Sequence, residues 1–521
     1  MTFNTEAGGT RLSNRIMEIL TREWVACIFV VSILFLRRIY LRHSDGPGSS
    51  PPRVRSWLPF GLDLVFLSMY HLANNTFVEW SSGLMDKYGR TIQMDLLGGT
   101  MIITDDPANI RAIQSSQFSE YPKGDLVREI FRNSLGESVV TSDGQQWQAK
   151  KRQLSHHFGQ MGVKELGETE THVQKLLSIL RSRAPVDVHD IIERYQMDIV
   201  TALYMGRSTN YLSSGAAPFR DALSTLLRIN STRLLLGKYA PFITDTILCP
   251  GAISTFEKFM NSRIDDALAL PVSEIEQKEA TDQCLVEKLM LQGLSRQEIR
   301  SQLLAIFLAA KVWFRHPAII TEDNAKVKQP SAILLSWALY ELSKHPEEMA
   351  RLREEVVSIV GTQRCPTLLE LQSMRQLKWI VNETMRLYHP LGLNVRVPPH
   401  STTLPTGGGR DGRDPINIAQ DTQTMYSVIS LQHRAPGGPD SGQWKPQRWE
   451  HWEPQIWEYI PFNHGPRICL GRKLGRFQIE YALSRIAQEF SSIQLHDAFE
   501  QRIKLEVNTQ MAYPVHCSFH E

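Results

Sequence analysis

The sequence predicts one large, mainly helical domain with a minor β-sheet region, set behind an N-terminal membrane anchor. Three observations predict it. From about residue 120 to 390 apolar positions recur at three- and four-residue spacing, the signature of helices buried on one face. Strand patterns are short and confined to either side of that block. Near the start, Trp24 to Leu36 forms the chain's prominent apolar run, closed by Arg37, Arg38 and Arg42.

Composition narrows the class. With 42% hydrophobic and 21% charged residues, the 521-residue chain is neither disordered nor fibrous. The formal net charge of +2 lacks the basic excess of a nucleic-acid binder. A mean hydropathy of −0.25 excludes a multi-span membrane protein and leaves room for one anchor. Six cysteines, none in a CxxC pair, argue against a zinc ribbon or a disulfide framework.

Taken in order, residues 1–23 form an N-terminal tail. The anchor is read over 24–41: the run is shorter than the 20 or so residues of a full span, but Ile39, Tyr40 and Leu41 extend its apolar face. The arginines that follow are of the kind kept on the cytoplasmic side. Residues 42–56 contain Gly46-Pro47-Gly48-Ser49-Ser50-Pro51-Pro52, a semi-rigid linker, and the domain proper is placed at 57–521. Ile92 to Leu97 and Met101 to Thr104 flank Gly98-Gly99, a hairpin signal. Ser295-Arg296-Gln297-Glu298 matches a capping box opening a helix to about Ala310. A helix over Ser331 to Lys344 stops before Pro346, and prolines and glycines beyond 390 break helix until a last long helix starts near Leu470.

The most specific stretch is Pro461-Phe462-Asn463-His464-Gly465-Pro466-Arg467-Ile468-Cys469-Leu470-Gly471. Gly465 and Gly471 allow tight turns and a close approach to a flat ligand. Arg467 offers a guanidinium to a carboxylate. Cys469, just before a helix N-terminus, is placed where a thiolate is favoured. The stretch resembles the haem-binding signature FxxGxRxCxG of the cytochromes P450 at every fixed position. The resemblance implies haem as cofactor, with Cys469 as the thiolate ligand of its iron and Phe462, Gly465, Arg467 and Gly471 around it.

Eighty-six residues upstream, Glu383-Thr384-Met385-Arg386 places an acid and a base on one helix face. In the family such an ExxR pair locks onto a later arginine, here Arg448 in Lys445-Pro446-Gln447-Arg448-Trp449. Asp143-Gly144-Gln145-Gln146-Trp147 resembles the start of the family's haem-facing WxxxR helix, with Lys151 at the second position, so a cation is kept without the arginine fork. Arg396 resembles the family's carboxylate-binding arginine after the ExxR helix. The branch that the chain is most similar to is that of the fungal alkane and fatty-acid hydroxylases.

One departure stands out. In the family the oxygen-activating helix carries an acid and a threonine after a small residue. Here Ala309 and Ala310 mark the expected place, but Lys311 to Pro330 intervenes, with Pro317 and Pro330 inside it, and no acid–alcohol pair is assigned. Three readings stay open: a loop that folds Thr321 or Asp323 back to the site, a retained intron over Val312 to Gln329, or lost oxygen activation. The resemblance implies a monooxygenase in the endoplasmic reticulum membrane, its domain on the cytoplasmic side. Electrons would come from NADPH through a cytochrome P450 reductase meeting Lys150, Lys151, Arg152, Arg472, Lys473 and Arg476. One atom of dioxygen would enter a lipophilic substrate. The rivals are a reductase-independent isomerase or dehydratase and an inactive ligand-binding relative.

Overall fold

A computed structural model describes residues 50–158, 163–214, 222, 233, 250–279, 282–309, 329–505 and 508–521. The expected tail and anchor, 1–41, lie outside these residues. Among the described residues no helix is long and apolar enough to cross a membrane.

The N-terminal lobe holds α1 (Leu62–Ala73), α2 (Phe77–Tyr88), β1 (Thr91–Leu96) and β2 (Gly99–Thr104). The hairpin forms where expected because Leu97 and Gly98 both take positive φ, 51° and 75°, the turn whose twist matches paired strands. The end of the expected linker already belongs to the fold: Pro52 and Val54 hydrogen-bond to the Gln93 backbone, and Val54 is buried.

A helical body follows: α3 (Gly124–Leu135), α4 (Gly144–Phe158), α5 (Val163–Leu180), α6 (Val188–Met205), α7 (Pro250–Leu268) and α8 (Arg296–Ala309). Ser295 and Glu298 complete the capping box of α8, the Ser295 N–H donating to the Glu298 carboxylate at 2.9 Å. Beyond it come α9 (Pro330–Lys344), α10 (Pro346–Val360) and α11 (Arg375–Leu387). Helix α9 is buried on all sides from Ala332 to Leu342, as a helix apolar all round must be. It packs with α5, α6, α11 and the last helix, α13, in one core, and Trp337 stacks flat on Tyr388 at 3.8 Å between ring centroids.

The C-terminal third carries β3 (Leu393–Arg396), the hairpin β4 (Thr402–Gly408) and β5 (Asp414–Ile418), β6 (Gln423–Ser427), α12 (Val428–Arg434), α13 (Arg472–Glu489), and β7 to β10 (Ser492–Leu495, Ile503–Leu505, Thr509–Met511, His516–His520). The main sheet runs β1-β2-β6-β3, with β6 parallel to β2 and antiparallel to β3. That pairing brings residues 91–104 against residues 393–427.

Candidate functional site

The Cys469 loop is held by its own backbone and by a bed from the N-terminal lobe. The Cys469 N–H donates to the Phe462 carbonyl at 3.0 Å, and Ile468 N–H to Gly465 at 3.1 Å. The Gln114 side-chain carbonyl accepts from His464 N–H at 2.6 Å while its amide donates to Asn463 Oδ1 at 3.0 Å. Gly465 sits at φ +66°, and a Cβ there would lie 2.0 Å from the Gln114 backbone oxygen. Both the conformation and the close approach demand glycine. Gly465→Ala is therefore expected to cost about 1–3 kcal/mol, the range for forced left-handed backbone, and to lower the haem-to-protein ratio. Thermal unfolding and pigment content check it. Gly471 caps α13, and a Cβ there would meet nothing within 4 Å, so no protein contact requires that glycine.

The Cys469 side chain has open surface, yet enough protein surrounds it that burial is the largest influence on its thiol, pushing it up. The Gly471 N–H and the Arg472 guanidinium oppose that shift. Hydrogen bonds and cations are what a thiolate needs to persist in such a place.

Beside the loop lies a cluster of buried cations. The Arg467 guanidinium stacks 4.6 Å from the Trp147 ring centroid and donates to Asp143 at 2.5 Å. Asp143 also accepts from the backbone N–H of Lys123 and Gly124, each at 3.1 Å. Arg396 lies 5.7 Å from the Tyr426 ring, and its buried Nε has no partner among the described residues. Lys123 joins them: burial first, then Arg396 and Arg467, lower its ammonium to about 7, while Asp143 pulls the other way. Arg396, Arg467 and a Lys123 that carries its proton only in part near neutral pH outweigh the one carboxylate by between one and two charges, which suits a ligand bearing carboxylates. The residues present therefore fit haem, with its pair of propionates.

Lys123 and Asp143 were not among the residues the sequence pointed to as ligand-binding. Asp143 stood in the motif that carried Trp147, but the Tyr121-Pro122-Lys123-Gly124 segment has no sequence signal of its own. Lys151 takes a different post: its ammonium donates to the Pro466 carbonyl at 2.7 Å and lies over Trp147 at 5.2 Å, tying α4 to the Cys469 loop.

The Lys123 shift has a signed consequence. Its folded value, about 7, lies below the unfolded value of about 10.4, so the unfolded chain holds the proton more tightly between them. Protein stripped of haem should gain stability as pH rises from about 7 towards 10. Lys123→Met should flatten that rise in a series of thermal melts, and so should haem loading.

Glu383, Arg386 and Arg448 meet in one cluster. Glu383 and Arg386 are fully buried, Arg386 donating to Glu383 from Nε and Nη2 at 2.9 Å each. Arg448 Nε donates to the same carboxylate at 2.7 Å, joined by the Lys445 N–H and Trp449 Nε1 at 3.0 Å. Arg386 reaches on to the carbonyls of Gln432 and Ser441, pinning α12 and the segment before the Cys469 loop to α11.

The expected oxygen-activating helix is described in two pieces. Ala309 is the last residue of α8, and Ala310, Thr321 and Asp323 lie outside the described residues. Phe307, near the end of α8, meets Tyr204 edge-on at 6.3 Å, and Cys469 adds to the burial that pushes the Tyr204 hydroxyl up. Gln329, at the cap of α9, is buried with neither amide atom paired among the described residues.

The sequence profile of the family described as Cytochrome P450 matches residues 52–317 and 328–509. The chain is a cytochrome P450. A cytochrome P450 monooxygenase of Talaromyces variabilis, pvhE, is 28% identical over 90% of this chain and 89% of its own. Another, fsdH of Fusarium heterosporum, is 31% identical over 90% and 82%. Cytochrome P450 52A13 of Debaryomyces hansenii is 29% identical over 78% and 79%. The crystal structure of a cytochrome P450DA heme domain superposes with a TM-score of 0.71 at 18% identity, covering 91% of this chain and 97% of that one. This P450 is thus a monooxygenase of a family whose cofactor is haem with an axial cysteine thiolate, and its relatives are fungal and yeast enzymes. The match to the family leaves out 318–327, inside the segment that interrupts the helix pattern.

Proposed function

We propose that this P450 oxygenates a lipophilic substrate, a fatty acid or alkane or an intermediate of secondary metabolism, with electrons from NADPH delivered by a cytochrome P450 reductase. The observation that carries the reading is the pairing of a loop-held cysteine, open on one side, with a buried cluster whose charge suits carboxylates. Haem, when bound, supplies the activation of dioxygen. The chain's residues do the rest. Cys469 would provide a thiolate ligand, with Phe462 and Gly465 fixing the loop that presents it. Lys123, Arg396 and Arg467 would hold the carboxylates, and Trp147 would keep water from the face of Arg467. Glu383, Arg386 and Arg448 hold the frame.

The reductase would meet the face carrying Lys150, Lys151, Arg152, Arg472, Lys473 and Arg476. Some of these are already engaged: Lys150 donates to Ser142 at 2.7 Å and Arg476 to Asn382 at 2.9 Å. Arg152 and Lys473 are exposed. The apolar run at 24–41 would anchor the enzyme in the endoplasmic reticulum membrane with this face in the cytoplasm.

The interrupted oxygen-activating helix favours a second reading, a haem-thiolate isomerase or dehydratase that needs no reductase, or an inactive ligand-binding relative. The ferrous carbon-monoxide difference spectrum of the full chain, followed by turnover of medium-chain fatty acids with and without NADPH and reductase, separates them. A thiolate-type band with NADPH-dependent hydroxylation is the expected result. Turnover without NADPH would favour the isomerase, and a chain that takes up no haem would point to the 311–330 region breaking the fold, with excision of Val312 to Gln329 as the next step.

A further inference from the structure

A cleft opens to solvent where the end of α4, the start of α5, the end of α6 and the first turn of α13 meet the short helix Leu285–Leu291. None of the residues assigned to the haem lines it. Its free space, open mouth included, is about 500 Å³, on the scale of small-molecule clefts. The walls have two characters. Phe158, Leu203, Leu285 and Leu474 are apolar, and Phe158 meets the Tyr204 ring edge-on at 6.0 Å. Lys164 and Lys288 bring two ammonium groups against one carboxylate, that of Glu165. The Lys164 ammonium is partly spent on the Asp282 carbonyl, to which it donates at 2.6 Å. Among the described residues neither the Lys288 ammonium nor the Tyr204 hydroxyl has a hydrogen-bond partner, and Lys288 forms no ion pair. Two such donors among apolar walls suit a carboxylate on an apolar chain, with charge-assisted hydrogen bonds at one end and area to bury at the other.

We propose that this cleft binds a lipophilic carboxylate, of the fatty-acid class, at a site separate from the haem pocket. Lys288 takes the carboxylate as an ion pair, Tyr204 donates its hydroxyl to it, and the chain lies against the apolar walls. Tyr204 also connects the site to the rest of the protein. Its ring meets Phe307, near the end of α8, edge-on at 6.3 Å. Burial first, then Cys469 and Glu165, push its hydroxyl up. An occupant that engages this hydroxyl therefore touches a residue that packs on α8 and shares a field with the thiol. The choice of ligand rests on the substrate class proposed above, but the test reads the cleft separately.

The test uses the full haem-loaded chain and dodecanoate carrying a diazirine close to its carboxyl, photolysed and mapped by peptide mass spectrometry. Labelling is expected on the segments that carry Phe158, Tyr204 and Leu285, and unmodified dodecanoate should displace it. Lys288→Glu reverses the charge that meets the carboxylate, whereas Tyr204→Phe removes only a hydroxyl. With the probe below saturation, each should lower labelling of the cleft at least about tenfold, the size of a lost hydrogen bond to a charged group. Both variants should keep the ferrous carbon-monoxide spectrum of the native chain. Label confined to other segments, or cleft labelling that both variants retain, would overturn the proposal. Inorganic phosphate that displaces the probe as well as dodecanoate does would show a site for any anion and overturn it too. Turnover with NADPH reports on the substrate reading alone: its absence, with cleft labelling intact, would remove the hydroxylase and leave the site.

Discussion

Replacing Cys469 with alanine abolishes the thiolate-type band of the ferrous carbon-monoxide spectrum and, with it, monooxygenase turnover. No other described cysteine is placed to take over. Burial pushes the thiols of Cys284 and Cys517 up to about 11 and about 12, and both are packed in apolar core. Cys365 is exposed and turned to Glu170. The loop itself should survive the change, because its hydrogen bonds run from backbone to backbone and through Gln114 rather than through sulfur. Haem would then bind weakly through Lys123, Arg396 and Arg467 and give a spectrum without the thiolate signature. A retained thiolate band would refute the assignment.

The second large effect belongs to Glu383. Its carboxylate accepts hydrogen bonds from Arg386, Arg448, Lys445 and Trp449 inside the protein. Glu383→Ala strands the Arg386 guanidinium, whose remaining carbonyls satisfy its donors without neutralising its charge, and leaves Arg448 with Asp440 at 3.6 Å. Breaking a buried pair from one side costs about 3–5 kcal/mol. The same amount should appear as a lowered unfolding midpoint in denaturant, with loss of haem before global unfolding because the segment leading to the Cys469 loop hangs on the triad. Glu383→Gln preserves the shape and should fall between the two. An unchanged midpoint would show that the pair carries no net stability.

These sites were legible to different degrees, and the reason is where their information sits. The Cys469 loop, the Glu383 pair and the hairpin at 91–104 depend on residue types at short spacing, so one chain suffices to read them. The capping box of α8 is equally local. Lys123 is not: it becomes part of the site only because the Asp143 carboxylate takes its backbone N–H and brings it beside Arg396 and Arg467. The Gln114 bed is likewise invisible in sequence, since the oxygen that demands a glycine at 465 comes from a turn of the distant N-terminal lobe. Lys151 shows the limit from the other side, its position matching a motif while its ammonium goes to the Pro466 carbonyl.

The Gln114–Asn463 contact joins residues 349 apart in the chain. At about 5–20 residues per second, a ribosome finishes the bed about 20 to 70 s before it makes the loop that rests on it. Through that interval the half-built cradle, with Lys123 in place early, Arg396 only late and Arg467 not yet made, waits with nothing to close over it. The cell must therefore shelter a long, unfinished polypeptide, and pigment can be captured only after translation is almost over.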